Sequence, residues 1–257
     1  MKKLLTAALF ATVAFAGVAQ AEAVKIGIAS EAYPPFASPD ASGKWVGWEV
    51  EIADAVCAEA KLECVITPVA WDGIIPSLTS KKIDAIMASM SITDERKKTI
   101  DFSNKYYNTP TVVVGAKTTK MDATPEGVKG KIFGVQASTV HADYAKKYFL
   151  PVAAEVKEYQ TQDEANQDLV AGRVDAIQAD SIALGDFLKT EAGAACCEVK
   201  GTVAADAAIL GAGVGVGLRK EDTALKDTFN KAIDAIRANG KYDEISKKYF
   251  NFDIYGG

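Results

Sequence analysis

The sequence predicts an α/β protein with helices packed on both faces of its sheets, and three observations predict it. Short apolar runs of strand length alternate with amphipathic stretches of helix length along nearly the whole chain. That alternation occurs twice, once before about Tyr107 and once after. At 257 residues, 49% of them apolar, the chain is long enough for one large or two modest domains with full cores.

The N-terminus reads as an export signal. Lys2 and Lys3 precede an apolar stretch from Leu4 to about Val18, and small residues follow at Ala19 and Ala21, which predicts cleavage after Ala21. The apolar run falls short of the roughly 20 residues a spanning helix needs, so a retained anchor is the weaker reading. Removing residues 1–21 takes away two lysines and leaves 27 basic against 34 acidic residues, a formal charge of −7. That balance disfavours nucleic acid and anionic membrane surfaces as partners.

The elements follow in order. Strand-like runs lie at 24–29, 64–68, 83–88, 111–114, 132–135, 156–159, 174–178 and 213–218, and amphipathic stretches lie at 50–61, 74–80, 141–149, 161–171 and 181–189. A further helix is capped by Thr93-Asp94-Glu95 and runs through Ile100. Two long connections, 104–116 and the glycine-rich 208–217, break the rhythm and read as chain crossings between two halves. For the glycines, tight sheet packing is the competing explanation. A phosphate loop is excluded, because the run lacks both the following lysine and the G-x-G-x-x-G spacing.

The segment from Lys82 to Phe102 carries the chemistry. Its strand-to-helix turn holds Ser89 and Ser91, and such turns at strand carboxyl ends are where open α/β sheets bind ligands. The helix start suits an anion, and Arg96, about one turn in, can add a bidentate fork for a carboxylate. Against this, Glu95-Arg96-Lys97-Lys98 also reads as a solvated charge run. Thr139 and Asp180 follow strand-like runs and are candidate ligand contacts, although each also suits a helix N-cap. Tyr33 and Trp71 are candidate apolar walls, and either could equally be core. Four cysteines in an exported chain invite disulfides: a Cys57 to Cys64 bridge would staple a helix to the next strand, while the state of the adjacent Cys196 and Cys197 stays open. The single histidine, His141, and the absence of C-x-x-C spacing argue against a metal site.

Ser89-x-Ser-Ile-Thr-x-x-Arg96, with Tyr33-Pro-Pro-Phe36 upstream and Gln178-Ala-Asp180 downstream, resembles the polar amino-acid-binding periplasmic proteins that feed ATP-binding cassette importers. Among them it looks most like the lysine-arginine-ornithine, histidine and opine binders, over a stretch from about Val24 to Gly257. The resemblance implies a two-lobed fold, with 22–110 plus 214–257 as one lobe, 111–213 as the other, and the two crossings as a hinge. It implies that Arg96, Ser91 and Thr139 take a ligand carboxylate, and that Asp180, the Ser89 carbonyl and Ser91 take the ammonium. Tyr33 and Trp71 would sandwich the ligand side chain, and Cys57 and Cys64 match a disulfide position. Where relatives that bind basic amino acids carry an acid three residues before the tyrosine, this chain has Ser30, with Glu31 beside it. It also has Ala88 where some relatives have serine, and one residue fewer before Ser138-Thr139.

The expected function is capture of a free L-amino acid, basic or polar, or an opine, by hinge closure, and its delivery to the membrane permease of an importer. A periplasmic monomer with no cofactor and no covalent chemistry is expected. The alternative is an enzyme on the same fold, such as a cyclohexadienyl dehydratase. That role needs a positioned acid or base, for which Glu31 and His141 are the candidates.

Overall fold

Residues 22–256 are described by the computed structural model, and the predicted export signal lies outside them. The chain opens on β1 (Val24–Ala29), followed by a hairpin of β2 (Ser38–Pro39) and β3 (Trp45–Val46) and by α1 (Trp48–Glu59). Next come β4 (Cys64–Val69), a 3-10 turn over Trp71–Gly73 and α2 (Ile74–Thr79). Then follow β5 (Ala85–Ile86), α3 (Asp94–Lys97), β6 (Asp101–Tyr107) and β7 (Thr111–Ala116). The second half runs through β8 (Ile132–Gln136), α4 (Val140–Tyr148), β9 (Glu155–Tyr159), α5 (Gln162–Val170), β10 (Ala176–Asp180) and α6 (Ser181–Phe187). It continues through α7 (Glu191–Cys196), β11 (Cys197–Thr202), α8 (Ala207–Leu210), β12 (Val214–Leu218), α9 (Thr223–Ala238) and α10 (Lys241–Ser246).

Apart from the β2–β3 hairpin, these strands form two five-stranded sheets. The first has the order β4-β1-β5-β12-β6, with β1 parallel to β4 and β5 and with β12 antiparallel to both neighbours. The second has the order β11-β7-β10-β8-β9, with β8 parallel to β9 and β10. Each sheet is covered on both faces, as its near-continuous apolar strands require. One side of the first sheet packs Trp48, Ile52, Phe229 and Ile233, and another cluster joins Ile74, Leu78, Ile86 and Ile100. The second sheet has its own pair of clusters, around Phe133 and Phe149 and around Leu169 and Ile177.

The structure corrects several expectations. The strand expected at 83–88 shrinks to Ala85–Ile86, because the chain must swing into the left-handed conformation of Ser89 at φ 53°. Residues 104–116 are not one long crossing: β6 runs through Tyr107, its polar Asn104 and Lys105 having hidden the buried Phe102, Tyr106 and Tyr107. The link to β7 is only residues 108–110. Likewise 208–217 resolves into the end of α8, a turn, and β12, with Gly211 and Gly213 at φ 85° and 100°. Gly215 and Gly217 sit inside the strand, and a Cβ on Gly215 would lie 2.8 Å from Ile92 Cδ1, so close sheet packing accounts for them. The helix expected through Ile100 ends at Lys97. The C-terminal helix α9 received no assignment, although Phe229, Ala232, Ile233 and Ile236 recur on one face at helical spacing.

Cys57 and Cys64 are bonded and tie α1 to β4 across 6.2 Å between Cα atoms. Cys196 and Cys197 form a second, vicinal pair. Among the described residues no helix is long and apolar enough to cross a membrane, and no cluster has the make-up of a metal site.

Candidate functional site

The parallel strands β1, β4, β5, β8 and β10 all point their carboxyl ends at the gap between the two sheets. The loops that leave them therefore converge there, as the switch-point rule for open α/β sheets requires. A cavity lies in this gap. Glu31, Tyr33, Trp71, Ser89, Ser91 and Arg96 line it from the first sheet, and Gln136, Thr139, His141 and Asp180 line it from the second. Eight of the nine residues expected at a site thus meet at one cavity. Ser30 is the exception.

Ser30 is exposed and donates its N–H to the Val69 carbonyl at 2.9 Å, extending the β1–β4 ladder away from the cavity. Its neighbour Glu31 turns inward instead, and Glu31 Oε2 accepts the Trp71 N–H at 3.0 Å, capping the 3-10 turn. One carboxylate oxygen is thereby fixed. Trp71 in turn donates its indole N–H to the Ser138 carbonyl at 3.2 Å, a contact from one sheet's loops to the other's.

Arg96 is held by the short helix α3, whose N-cap Thr93 accepts the Arg96 N–H at 3.2 Å. Its guanidinium donates to the Ser91 carbonyl at 3.0 Å and the Ser138 carbonyl at 3.5 Å, and it lies 5.5 Å from the Trp71 ring centroid. Burial lowers its pKa to about 10, against the favourable charge of Asp143, so the group stays cationic at neutral pH. Facing it is the N-terminus of α4, whose first N–H groups lack intrahelical partners and suit an anion. Thr139 caps that helix: its hydroxyl donates to the Gln136 carbonyl at 2.7 Å and accepts the Ala142 N–H at 3.1 Å. Its hydroxyl hydrogen is therefore committed within the loop.

Asp180 closes the opposite end of the cavity. Tyr33 donates to Oδ2 at 2.9 Å, Thr109 donates to Oδ1 at 2.5 Å, and His141 Nε2 lies 3.8 Å from Oδ2. Burial works to raise this carboxyl, but the hydrogen bonds and charge from His141, Thr109 and Tyr33 prevail and hold it below the ordinary carboxylate value. Although Asp180 sits at the N-cap position of α6, its side chain makes no capping bond there. It does not serve as a helix cap and lines the cleft instead. Sequence reasoning missed Thr109 and Gln136, because neither stands in a recognisable motif and only the fold brings them to this point.

The geometry can hold a small zwitterion, with a cation and a helix start at one end, a carboxylate at the other and two aromatic side chains alongside. Comparison with known proteins agrees with that capacity. The family described as bacterial extracellular solute-binding proteins, family 3, matches residues 24–252. The L-arginine-binding protein of Pseudomonas aeruginosa is 48% identical over 234 residues, covering 91% of this chain and 90% of that protein. The histidine-binding periplasmic protein of Salmonella typhimurium is 39% identical over 249 residues, covering 96% and 94%. A solved ancestral arginine-binding protein bound to arginine superposes with a TM-score of 0.81 at 33% identity, covering 89% of this chain and 98% of that one.

Proposed function

This chain belongs to the bacterial extracellular solute-binding proteins, family 3, and we propose that it captures a free L-amino acid with a basic side chain in the periplasm and hands it to the permease of an ATP-binding cassette importer. The observation that carries the reading is the meeting of Arg96 and Asp180 at one cavity from two different sheets. Arg96 and the α4 N-terminus would take the carboxylate, exchanging the carbonyls of Ser91 and Ser138 for a charged, bidentate partner. Asp180, the Ser89 carbonyl and Ser91 would take the α-ammonium.

We read residues 22–110 with 214–257 as one lobe and 111–213 as the other. A ligand that touches both lobes binds the closed form with an affinity the open form cannot match, and that difference drives closure. The basic side chain is favoured by Glu31 and Trp71, which both line the cavity and offer a carboxylate and a π-surface that suit a cation. The names of the relatives point the same way.

We infer binding rather than catalysis. Glu31 is engaged by Trp71, and His141 lies between Thr111 and Asp180, so each has a structural partner. A thermal-shift screen of the twenty amino acids tests the whole reading. Free ligand at 100 times its dissociation constant should add about 2.7 kcal/mol, or roughly 5 to 11 °C for a chain of this size. Arginine should outcompete glutamine and leucine by about tenfold. If no amino acid moves the transition, the reading is wrong.

A further inference from the structure

Behind Ser89, outside the cavity lining, lies a polar cluster built on a buried acid. Glu49, the second residue of α1, is 1% exposed. Its Oε1 accepts the Ser89 backbone N–H at 2.8 Å, and its Oε2 accepts the Ser89 hydroxyl at 3.1 Å. Tyr106 donates a third hydrogen bond to Oε1. Three donors on two oxygens suit an ionised carboxylate, which can only accept, and the α1 N-terminus favours the same charge.

Ser89 holds a left-handed backbone at φ 53°, a conformation that costs a non-glycine residue energy unless its surroundings enforce it. Glu49 is what enforces it. With the N–H and hydroxyl of Ser89 both committed to Glu49, only the Ser89 carbonyl is left for a ligand, and it accepts no hydrogen bond among the described residues. The second observation is one of charge. Asp180 has His141 as its ionisable partner, and no lysine or arginine pairs with Glu49 among the described residues. Burial raises the Glu49 carboxyl, the bonds from Tyr106 and Ser89 oppose that, and the Asp180 charge adds to it. The buried Tyr107 hydroxyl, raised first by its burial, is pushed further by Glu49 and Asp180 together. Glu49 lies behind Ser89, off the cavity lining, and its charge adds to that of Asp180; buried charge calls for a counter-ion.

We propose that Glu49 is a positioning residue for the ligand's α-ammonium. It locks Ser89 with the carbonyl available to the cleft, and it supplies a second negative charge that an ammonium held against Asp180 neutralises. The inference rests on the amino-acid reading above and adds to it a residue that touches no ligand.

Calorimetry with two probes tests it: L-arginine, and δ-guanidinovaleric acid, which is arginine without its α-amino group. L-arginine on the wild-type chain is the control. If neither it nor any other amino acid binds, the amino-acid reading fails and takes this one with it. Given wild-type binding, Glu49→Gln should weaken L-arginine by about tenfold or more and δ-guanidinovalerate by about twofold or less. Glu49→Asp, which keeps the charge, should recover most of the loss. Equal losses for the two probes would reduce Glu49 to scaffold, and no loss would make it idle; either outcome overturns the proposal. Should Glu49→Gln not fold, Ser89→Ala removes the hydroxyl donated to Glu49 at the cost of one hydrogen bond. The same preferential loss of L-arginine is expected there, and equal effects on both probes again overturn it.

Discussion

Tyr33 and Asp180 stand 147 residues apart in sequence and are joined by a 2.9 Å hydrogen bond from the phenol to Oδ2. Tyr33 leaves the end of β1 in the first sheet, and Asp180 ends β10 in the second. The bond therefore crosses the cleft, and it uses an acceptor that a ligand ammonium would need. Trp71 and Arg96 make the matching contacts at the other end through Ser138.

Tyr33→Phe keeps the aromatic wall and deletes this tie. Hydrogen bonds to charged groups contribute about 1.5 to 3 kcal/mol, enough to shift a two-state population by about tenfold or more. The ligand-free variant is expected to spend more time open, giving a larger radius of gyration in solution scattering than the wild type. The arginine-bound forms should scatter alike. Identical ligand-free profiles would mean the tie has no weight.

Arg96→Ala removes the cation that faces the α4 N-terminus. Truncating one member of a desolvated charge pair costs on the order of 2 to 5 kcal/mol, so affinity should fall by roughly 30-fold to several thousand-fold. Calorimetry checks this. δ-Guanidinovalerate keeps the carboxylate and should suffer as much as L-arginine, which separates the role of Arg96 from that of Glu49.

Glu31→Gln retains an oxygen for the Trp71 N–H, so the loop after β1 should hold its shape. What it loses is charge. The preference for arginine over glutamine is expected to fall by about tenfold, with glutamine binding nearly unchanged. A preference that survives intact would remove Glu31 from the side-chain end of the site.

The Cys57–Cys64 bridge closes a short loop between α1 and β4. Replacing both cysteines by alanine should cost about 2.5 kcal/mol on the chain-entropy account, seen as a melting temperature lower by roughly 5 to 10 °C. The bridge lies away from the cavity, so arginine affinity should stay within about twofold of wild type.

Much of the site was legible because its residues sit where strands end and helices begin. Thr93, Thr139 and Asp180 announce helix starts after apolar runs, and Arg96 follows its cap by three residues. What the sequence could not supply was direction within a loop. Ser30 and Glu31 differ by one position, and which of them turns inward was decided by the Trp71 N–H needing an acceptor. Strand β6 stayed hidden for a related reason: polar Ser103, Asn104 and Lys105 interrupt its buried aromatics, and the local pattern looked like a connection. Glu49 gave no signal, since nothing near it in sequence shows that Ser89 and Tyr106 would close around it.

The order β4-β1-β5-β12-β6 sets a timetable for the growing chain. Strand β12, at residues Val214–Leu218, lies between β5 and β6, which were made more than a hundred residues earlier. Until it arrives β5 has an open flank, and apolar Ile86 and Phe102 wait for the neighbour that will cover them. The second sheet draws only on residues Thr111 to Thr202, and so it can be complete while the first is still half built. Late pairing of distant segments is slow and leaves sticky surface exposed meanwhile. The half of the molecule that begins the chain is therefore the half that finishes last.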